Sequence, residues 1–253
     1  MEKKKTTISF KIIRGLVRFF YGNMEVIGLE HLPQKEAILV GNHAQMNGPI
    51  SGELFLPDNC YTWCAGQMME AKEVPGYAFE DFWSQKPKWT HFYYKIASYV
   101  ITPLAVCVFN NARTIPVYRD MRVMGTFKTT IKMLKDGANI LIFPEKDEKN
   151  NNILYQFQDN FIDIARLYYK KTGVELTFIP VYIAPKLRKI YIGEGILFDS
   201  DNKIEEEKQR IASYLSEEIT KIARQLPLHT VVPYRNIGRR HYLTNKDITE
   251  VPK

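Results

Sequence analysis

The 253-residue chain is 45% hydrophobic and 25% charged, a composition that supplies a hydrophobic core and excludes disordered and fibrous proteins. Its length predicts one ordinary globular domain or at most two small ones. Three cysteines (Cys60, Cys64 and Cys107) cannot form a closed disulfide framework, which favours a reducing, cytoplasmic setting. Cys60 and Cys64 without further partners are a poor zinc signature, so we expect no metal and no bound cofactor.

The net charge of +7 is concentrated at the two ends of the chain. Residues 1–20 carry a net charge of +5, residues 228–253 carry +3, and the body of the chain is close to neutral. A nucleic-acid-binding protein would spread its positive charge over the folded surface. The distribution therefore argues against nucleic acid and favours an anionic membrane surface as a partner.

Residues 8–20 read as an amphipathic helix with basic residues between its apolar positions, which are Phe10, Ile13, Leu16, Val17 and Phe20. Two interpretations stay open: the helix packs on its own domain, or it lies in a lipid interface. We expect a peripheral protein on the inner face of the membrane. The longest apolar run, residues 96–109, contains Pro103 and is shorter than the roughly 20 residues that cross a bilayer.

Strands and helices alternate along the rest of the chain. Strands are predicted at residues 24–28, 37–41, 61–65, 114–118, 139–143, 176–183 and 189–193. Helices are predicted at residues 49–56, from 123 to a stop at Gly137, at 158–171 and at 203–226, whereas 66–112 has no clear pattern and 146–152 is a predicted loop. This order predicts an α/β fold with a mainly parallel central sheet flanked by helices on both faces, plus the N-terminal amphipathic helix. We expect three segments: the basic helix 1–22, the α/β domain 23–227 and a polar tail 228–253.

Polar residues follow several of the predicted strands, where ligands of parallel sheets collect. Asn42-His43 follows the second strand, Arg119-Asp120 the fourth, and Pro144-Glu145-Lys146-Asp147 the fifth. If these strands are neighbours, a base, a cation and a carboxylate meet at one edge. Each residue also has a structural interpretation, such as a hydrogen-bonded turn histidine or a surface ion pair.

These segments resemble a known family. Asn42-His43, 114–119 (Thr-Ile-Pro-Val-Tyr-Arg), 142–145 (Ile-Phe-Pro-Glu) and 178–181 (Phe-Ile-Pro-Val) resemble the four sequence blocks of the glycerolipid (lysophosphatidate-type) acyltransferases, in order and at suitable spacing. Residues 28–33 resemble the lead-in to the first block, so the resemblance covers about residues 24–183.

The resemblance implies transfer of a fatty acyl group from acyl-CoA or acyl carrier protein to a hydroxyl of a lysophospholipid or glycerol phosphate in phospholipid biosynthesis. By position, His43 is the general base and Glu145 a supporting carboxylate of the catalytic site. Arg119 is expected to bind the acceptor phosphate, with Arg113 and Lys146 as further candidates.

The sequence departs from the family pattern in two places. The family places an aspartate five residues after the histidine, where it orients the imidazole, but Gly48 stands there; Asn47 is a candidate replacement. The third block continues Lys146-Asp147-Glu148 and lacks the usual second arginine. These departures leave open a relative that binds lipid or acyl carrier without turnover, or a transferase with an acceptor that is not a glycerolipid.

The aromatic residues of 77–94 allow two interpretations. They pack as ordinary core, or they line an apolar pocket for the acyl chain, with Trp83, Trp89 and Phe92 as the candidates.

Overall fold

The structure, a computed structural model, describes residues 6–118 and 120–247. The basic residues at positions 3–5 and the predicted phosphate-binding Arg119 lie outside the described residues. Contacts divide the chain into two compact units: unit 1 comprises Met1–Gly22 and Thr62–Thr129, and unit 2 comprises Asn23–Tyr61 and Thr130–Lys253.

The strands of the described ranges are β1 (Glu25–Ile27), β2 (Ala37–Gly41), β3 (Cys60–Ala65), β4 (Thr114–Val117), β5 (Asn139–Ile142), β6 (Glu145–Lys149), β7 (Tyr155–Phe157), β8 (Thr177–Ala184), β9 (Lys189–Ile192) and β10 (Ile196–Leu197). The α-helices are α1 (Ile8–Tyr21), α2 (Asn47–Phe55), α3 (Val74–Ala78), α4 (His91–Asn111), α5 (Val123–Lys135), α6 (Asp163–Thr172) and α7 (Ile204–Gln225).

Unit 2 is built on a sheet in the order β1-β9-β8-β2-β5, with β10 paired to β8. The β1–β9, β8–β2 and β2–β5 pairs are parallel, whereas β8–β9 and β10–β8 are antiparallel. Every residue of β2 is buried, as the uninterrupted apolar run Ala-Ile-Leu-Val predicts for a strand covered on both sides. The mixed α/β fold with a mostly parallel sheet is thereby confirmed.

The parallel register of β2 and β5 brings their carboxyl ends to one edge of the sheet. Val40 pairs with Ile142, so both strands end at the same level. The residues that follow them, from Asn42 and from Phe143 onward, therefore meet at this edge.

Unit 1 contains the parallel β3–β4 pair and the helices α1, α3 and α4. Its core joins α3 and α4 through Val74, Ala78 and Ala105. The two long helices also contact each other, and the Thr7 amide donates to Asn111 Oδ1 over 3.0 Å.

The helix α1 begins after Thr7, whose hydroxyl accepts a hydrogen bond from the Phe10 amide. Of its apolar residues only Phe10 is fully buried, and Leu16 and Phe20 of the predicted apolar stripe are exposed. The apolar run 96–109 lies within the helix α4. With the preceding turn this helix gives a helical segment, Lys88–Asn111, that is long and apolar enough by length and composition to cross a membrane, which the shorter run did not suggest.

The prediction of a loop at residues 146–152 is wrong for residues 146–149. Residues Glu145–Lys149 form β6, which pairs antiparallel with β7. No apolar alternation marks this strand, because its sequence, Glu-Lys-Asp-Glu-Lys, contains only charged residues.

Candidate active site

The residues after β2 form a tight loop that places His43 at the sheet edge. Asn42 is buried, and its side-chain amide both donates to the Ile183 carbonyl (3.0 Å) and accepts from the Ile183 amide (2.7 Å). Ala44 and Gln45 then adopt positive φ values of 46° and 55°, a region that L residues rarely occupy. The helix α2 starts two residues later, so the loop around His43 is fixed at both ends.

Glu145, the first residue of β6, holds the same loop. Its carboxylate is buried; Oε2 accepts from the His43 amide over 2.6 Å, and Oε1 accepts from the Tyr155 amide over 2.9 Å. Burial raises the pKa of Glu145 to about 7, although both backbone hydrogen bonds act in the opposite direction. The carboxylate thus connects the His43 loop to the β6–β7 hairpin.

The His43 imidazole is held by aromatic packing. Its ring meets Phe143 edge to face, with centroids 5.4 Å apart, and Tyr234 in the same manner at 5.6 Å. Burial lowers the pKa of His43 to about 4, against a smaller opposite effect of the Gln45 backbone. The ring is therefore neutral at pH 7 and can accept a proton, and the residue keeps part of its surface exposed.

Among the described residues no carboxylate orients the imidazole. Nδ1 of His43 is buried and has no hydrogen-bond partner there. The Asn47 side-chain nitrogen donates to the Ala44 carbonyl over 2.8 Å, and no hydrogen bond joins Asn47 to His43 Nδ1. Glu145 directs both carboxylate oxygens to backbone amides, so it supports the loop and not the imidazole.

Lys146 and Arg113, two further predicted site residues, each have contacts of their own. Lys146 pairs with Glu148, with Nζ 3.1 Å from Oε2. Arg113 is a half-buried residue of unit 1 whose carbonyl accepts from the Thr62 amide over 2.8 Å. The role of Arg119 stays a prediction, because that residue lies outside the described ranges.

The three candidates for the acyl-chain pocket separate into two kinds. Trp83 is half-buried, packs against the unit 1 core and stacks on Tyr94 with centroids 5.5 Å apart. Trp89 and Phe92 are 78% and 69% exposed, because they lie on the outward side of α4 and the turn before it. An acyl-chain pocket lined by these three residues stays a prediction.

No sequence pattern points to Tyr234 as a site residue. It lies 191 positions after His43, in a segment whose polar composition suggested a tail. Asn42 was visible as part of the Asn42-His43 pair, but its bond to β8 depends on sheet order, which no local pattern states.

The opposite pKa shifts of His43 and Glu145 predict how stability depends on pH. The folded His43 binds fewer protons than the unfolded one between pH 6.5 and about 4, so it destabilises the fold as pH falls through that range. The folded Glu145 binds more protons between pH 4.5 and about 7, so it destabilises the fold as pH rises there. In the wild type the two effects oppose each other.

We expect His43→Leu and Glu145→Gln to separate these effects. Relative to wild type, the free energy of unfolding of His43→Leu should fall as pH rises from about 4 to 6.5, and that of Glu145→Gln should rise from about pH 4.5 to 7. Urea unfolding at four pH values measures both differences. Differences that stay constant with pH would show that neither group is perturbed as described.

Both the sequence and the fold of this chain match known proteins. Residues 77–184 match the sequence model of the family described as Acyltransferase, a range that includes Glu145 and leaves His43 outside. A search of curated proteins finds no match. The fold resembles that of the 1-acyl-sn-glycerophosphate (LPA) acyltransferase PlsC from Thermotoga maritima, with a TM-score of 0.50 and 15% sequence identity over 86% of this chain and 81% of that chain. Together, the sequence match and the shared fold support an acyltransferase enzyme.

Proposed function

We propose that this chain transfers a fatty acyl group from acyl-CoA or acyl carrier protein to a hydroxyl of a lysophospholipid or glycerol phosphate. The observation that carries the proposal is His43, whose neutral and partly exposed imidazole stands on a loop that the buried Glu145 holds at the carboxyl edge of the sheet. The name of the structural neighbour, an LPA acyltransferase, supports a phosphorylated glycerolipid as the acceptor.

The chemistry requires one proton acceptor and no redox step. The imidazole takes the proton of the acceptor hydroxyl while its oxygen attacks the thioester carbonyl carbon. The tetrahedral intermediate then breaks its C–S bond, and the imidazolium returns the proton to the leaving thiolate. We assign the acceptor phosphate to Arg119, whose guanidinium suits a phosphate through two parallel hydrogen bonds.

Turnover with paired acceptors tests the proposal. The purified chain is incubated with an acyl-CoA or an acyl carrier protein thioester and with lysophosphatidic acid, glycerol phosphate or the phosphate-free monoacylglycerol, and thiol release and acylated product are measured. We expect product with a phosphorylated acceptor and much less with monoacylglycerol. Equal rates with monoacylglycerol would contradict the phosphate-binding assignment, and transfer to a sugar hydroxyl alone would replace the acceptor class.

A second candidate function is lipid or acyl-carrier binding without turnover. Its supporting observation is that His43 Nδ1 has no hydrogen-bond partner among the described residues, while Gly48 occupies the position of the family's aspartate. Saturable binding of lysophosphatidic acid or acyl carrier protein, with no product from any donor, would favour this candidate over the transferase.

We also propose that the protein works at an anionic membrane surface on the cytoplasmic side. Unit 1 exposes apolar side chains on both of its long helices: Ile8, Ile12, Leu16, Phe19 and Phe20 of α1, and Trp89, Phe92, Tyr93, Ile96, Tyr99, Val100 and Leu104 in or just before α4. We call these residues the α1–α4 apolar surface. Those of α4 recur at three- and four-residue steps, so they share one face of the helix.

The charge of these two segments matches an anionic lipid. No aspartate or glutamate occurs in residues 8–21 or 86–111, whereas both stretches carry lysine or arginine. Exposed apolar patches of this extent are rare on proteins that only meet water. Apolar side chains buried among acyl chains beside cations near the headgroups would explain both features.

Vesicle binding tests this proposal. We expect Trp89→Ser/Val100→Ser and Phe19→Ser/Phe20→Ser each to weaken partition into vesicles of anionic phospholipid by about 10-fold or more, given roughly 1.5–3 kcal/mol for a fully buried apolar side chain. The control is Met121→Ser, which removes a 90% exposed apolar side chain outside the surface. Equal weakening by the control, or none by either pair, would contradict the proposal.

A further inference from the structure

Residues 229–245 form a closed loop on unit 2, which we call the C-terminal loop. Its two ends pair with each other: the Asn245 amide donates to the His229 carbonyl over 3.0 Å, and the Val231 amide donates to the Leu243 carbonyl over 2.8 Å. The loop is therefore a defined structure with a tip at about residues 233–242.

Buried polar contacts fix the base of the C-terminal loop. The His229 Nε2 lies 2.8 Å from the Tyr182 hydroxyl on β8. The Asn152 side chain donates to the Thr244 carbonyl over 2.6 Å, and the Asn245 side chain donates to the Ala223 carbonyl of α7 over 2.8 Å. The base is thus attached to β8, to the segment before β7 and to the last helix.

The tip of the loop contacts both segments that position His43. The Gln45 side chain donates to the Arg235 carbonyl over 2.9 Å and lies 2.9 Å from the Tyr242 hydroxyl. The Arg235 guanidinium pairs with the Asp147 carboxylate on β6, two residues beyond Glu145. The tip therefore bridges the loop after β2 and the hairpin after β5.

Tyr234 completes this bridge at the imidazole itself. Its ring lies edge to face against His43 and 5.5 Å, centroid to centroid, from Tyr155, the residue whose amide donates to Glu145. Nδ1 has no hydrogen-bond partner in the described chain, so the rings packed on the imidazole contribute to its orientation beside the backbone hydrogen bond of Gln45. The two rings that pack on it are Phe143 and Tyr234.

We propose that Tyr234 is a positioning residue for His43, carried to the site by the C-terminal loop, and that its ring substitutes for the missing orienting carboxylate. The proposal rests on the proposed function, because it assigns a role toward the same base. The Gln45 contacts with the loop tip extend this role, since they also hold a residue at positive φ beside the imidazole.

The test uses the full-length chain and two independent readouts. Tyr234→Phe keeps the ring and should leave kcat within about twofold of wild type. Tyr234→Ala should lower kcat by about 10-fold or more with little change in KM for either substrate, as expected for lost orientation of a base. The His43 pKa, followed by nitrogen-15 NMR of the imidazole, should rise in Tyr234→Ala toward the ordinary value of 6.5, because removing the ring reduces burial.

The control variant is Tyr169→Ala, which removes a tyrosine exposed on α6 of the same unit. An unfolded Tyr234→Ala protein would be replaced by Tyr234→Leu, which keeps apolar volume but no flat ring. Unchanged kcat and an unchanged His43 pKa in a folded variant would overturn the proposal. If the wild type shows no turnover at all, the proposed function fails, while the NMR pKa still tests whether Tyr234 positions the imidazole.

Discussion

Replacing His43 with alanine is expected to lower kcat/KM for acyl transfer by about 10²–10⁴-fold, the usual contribution of a general base. The structural reason is that this imidazole is neutral at pH 7, sits at the carboxyl edge of the parallel sheet and keeps part of its surface exposed. KM for the thioester should change little, because the base acts on the acceptor hydroxyl.

How far kcat/KM falls within this range depends on how basic the imidazole is. A pKa of about 4 makes His43 a weak base, and no carboxylate among the described residues raises it. Brønsted behaviour then places the effect near the lower end, about 10²-fold. The same pKa predicts that the acidic limb of the pH–rate profile lies near pH 4 and well below 6.5.

The control for this variant is Tyr169→Ala, which removes an exposed side chain of α6 in the same unit. Its rate should equal that of the wild type. Urea unfolding of both variants separates lost chemistry from lost stability, since His43 also contacts two aromatic rings. A folded His43→Ala protein that loses less than about threefold in rate would remove His43 from the mechanism.

Strands marked by apolar runs could be predicted from the sequence. The run Ala-Ile-Leu-Val of β2 and the apolar stretch of β8 are buried on both faces, which is what an uninterrupted apolar pattern indicates. The resemblance to the acyltransferase blocks then pointed to His43 and Glu145, and the parallel register of β2 and β5 does bring them together.

Contacts between distant segments could not be predicted. Nothing in residues 228–247 shows that Tyr234 would reach His43, because a contact across 191 positions depends on the sheet order and on anchors such as His229. The helix α4 was missed for a different reason. It is apolar on its exposed side as well as on its core side, so no 3.6-residue alternation marks it.

Restoring the family's aspartate by Gly48→Asp is expected to destabilise the protein and to leave activity no higher than in the wild type. A Cβ at Gly48 would lie 2.5 Å from the His43 carbonyl oxygen and 2.9 Å from the Cε1 and Cζ atoms of Phe143. The carbonyl belongs to the backbone of the His43 loop and already accepts the Gly48 amide over 2.9 Å, so it cannot move without shifting the histidine.

Whether Gly48→Asp destabilises the protein depends on the cost of the added side chain and the gain from its charge. Overpacking typically costs about 1–3 kcal/mol, whereas an acidic residue in the first turn of a helix such as α2 gains only about 0.3–1 kcal/mol. We therefore expect the free energy of unfolding to fall in Gly48→Asp and in Gly48→Ala, by up to about 3 kcal/mol, since both variants carry the same Cβ.

Gly125→Ala provides the control, because a Cβ at this glycine of α5 meets no atom within 4 Å. It should be neutral or stabilise the protein by up to about 1 kcal/mol, the usual difference between glycine and alanine within a helix. Urea unfolding of the three variants, with turnover measured alongside, checks the prediction. A Gly48→Asp protein that is as stable as wild type and faster would mean that the loop accepts the carboxylate, and that the imidazole of this chain lacks only its orienting partner.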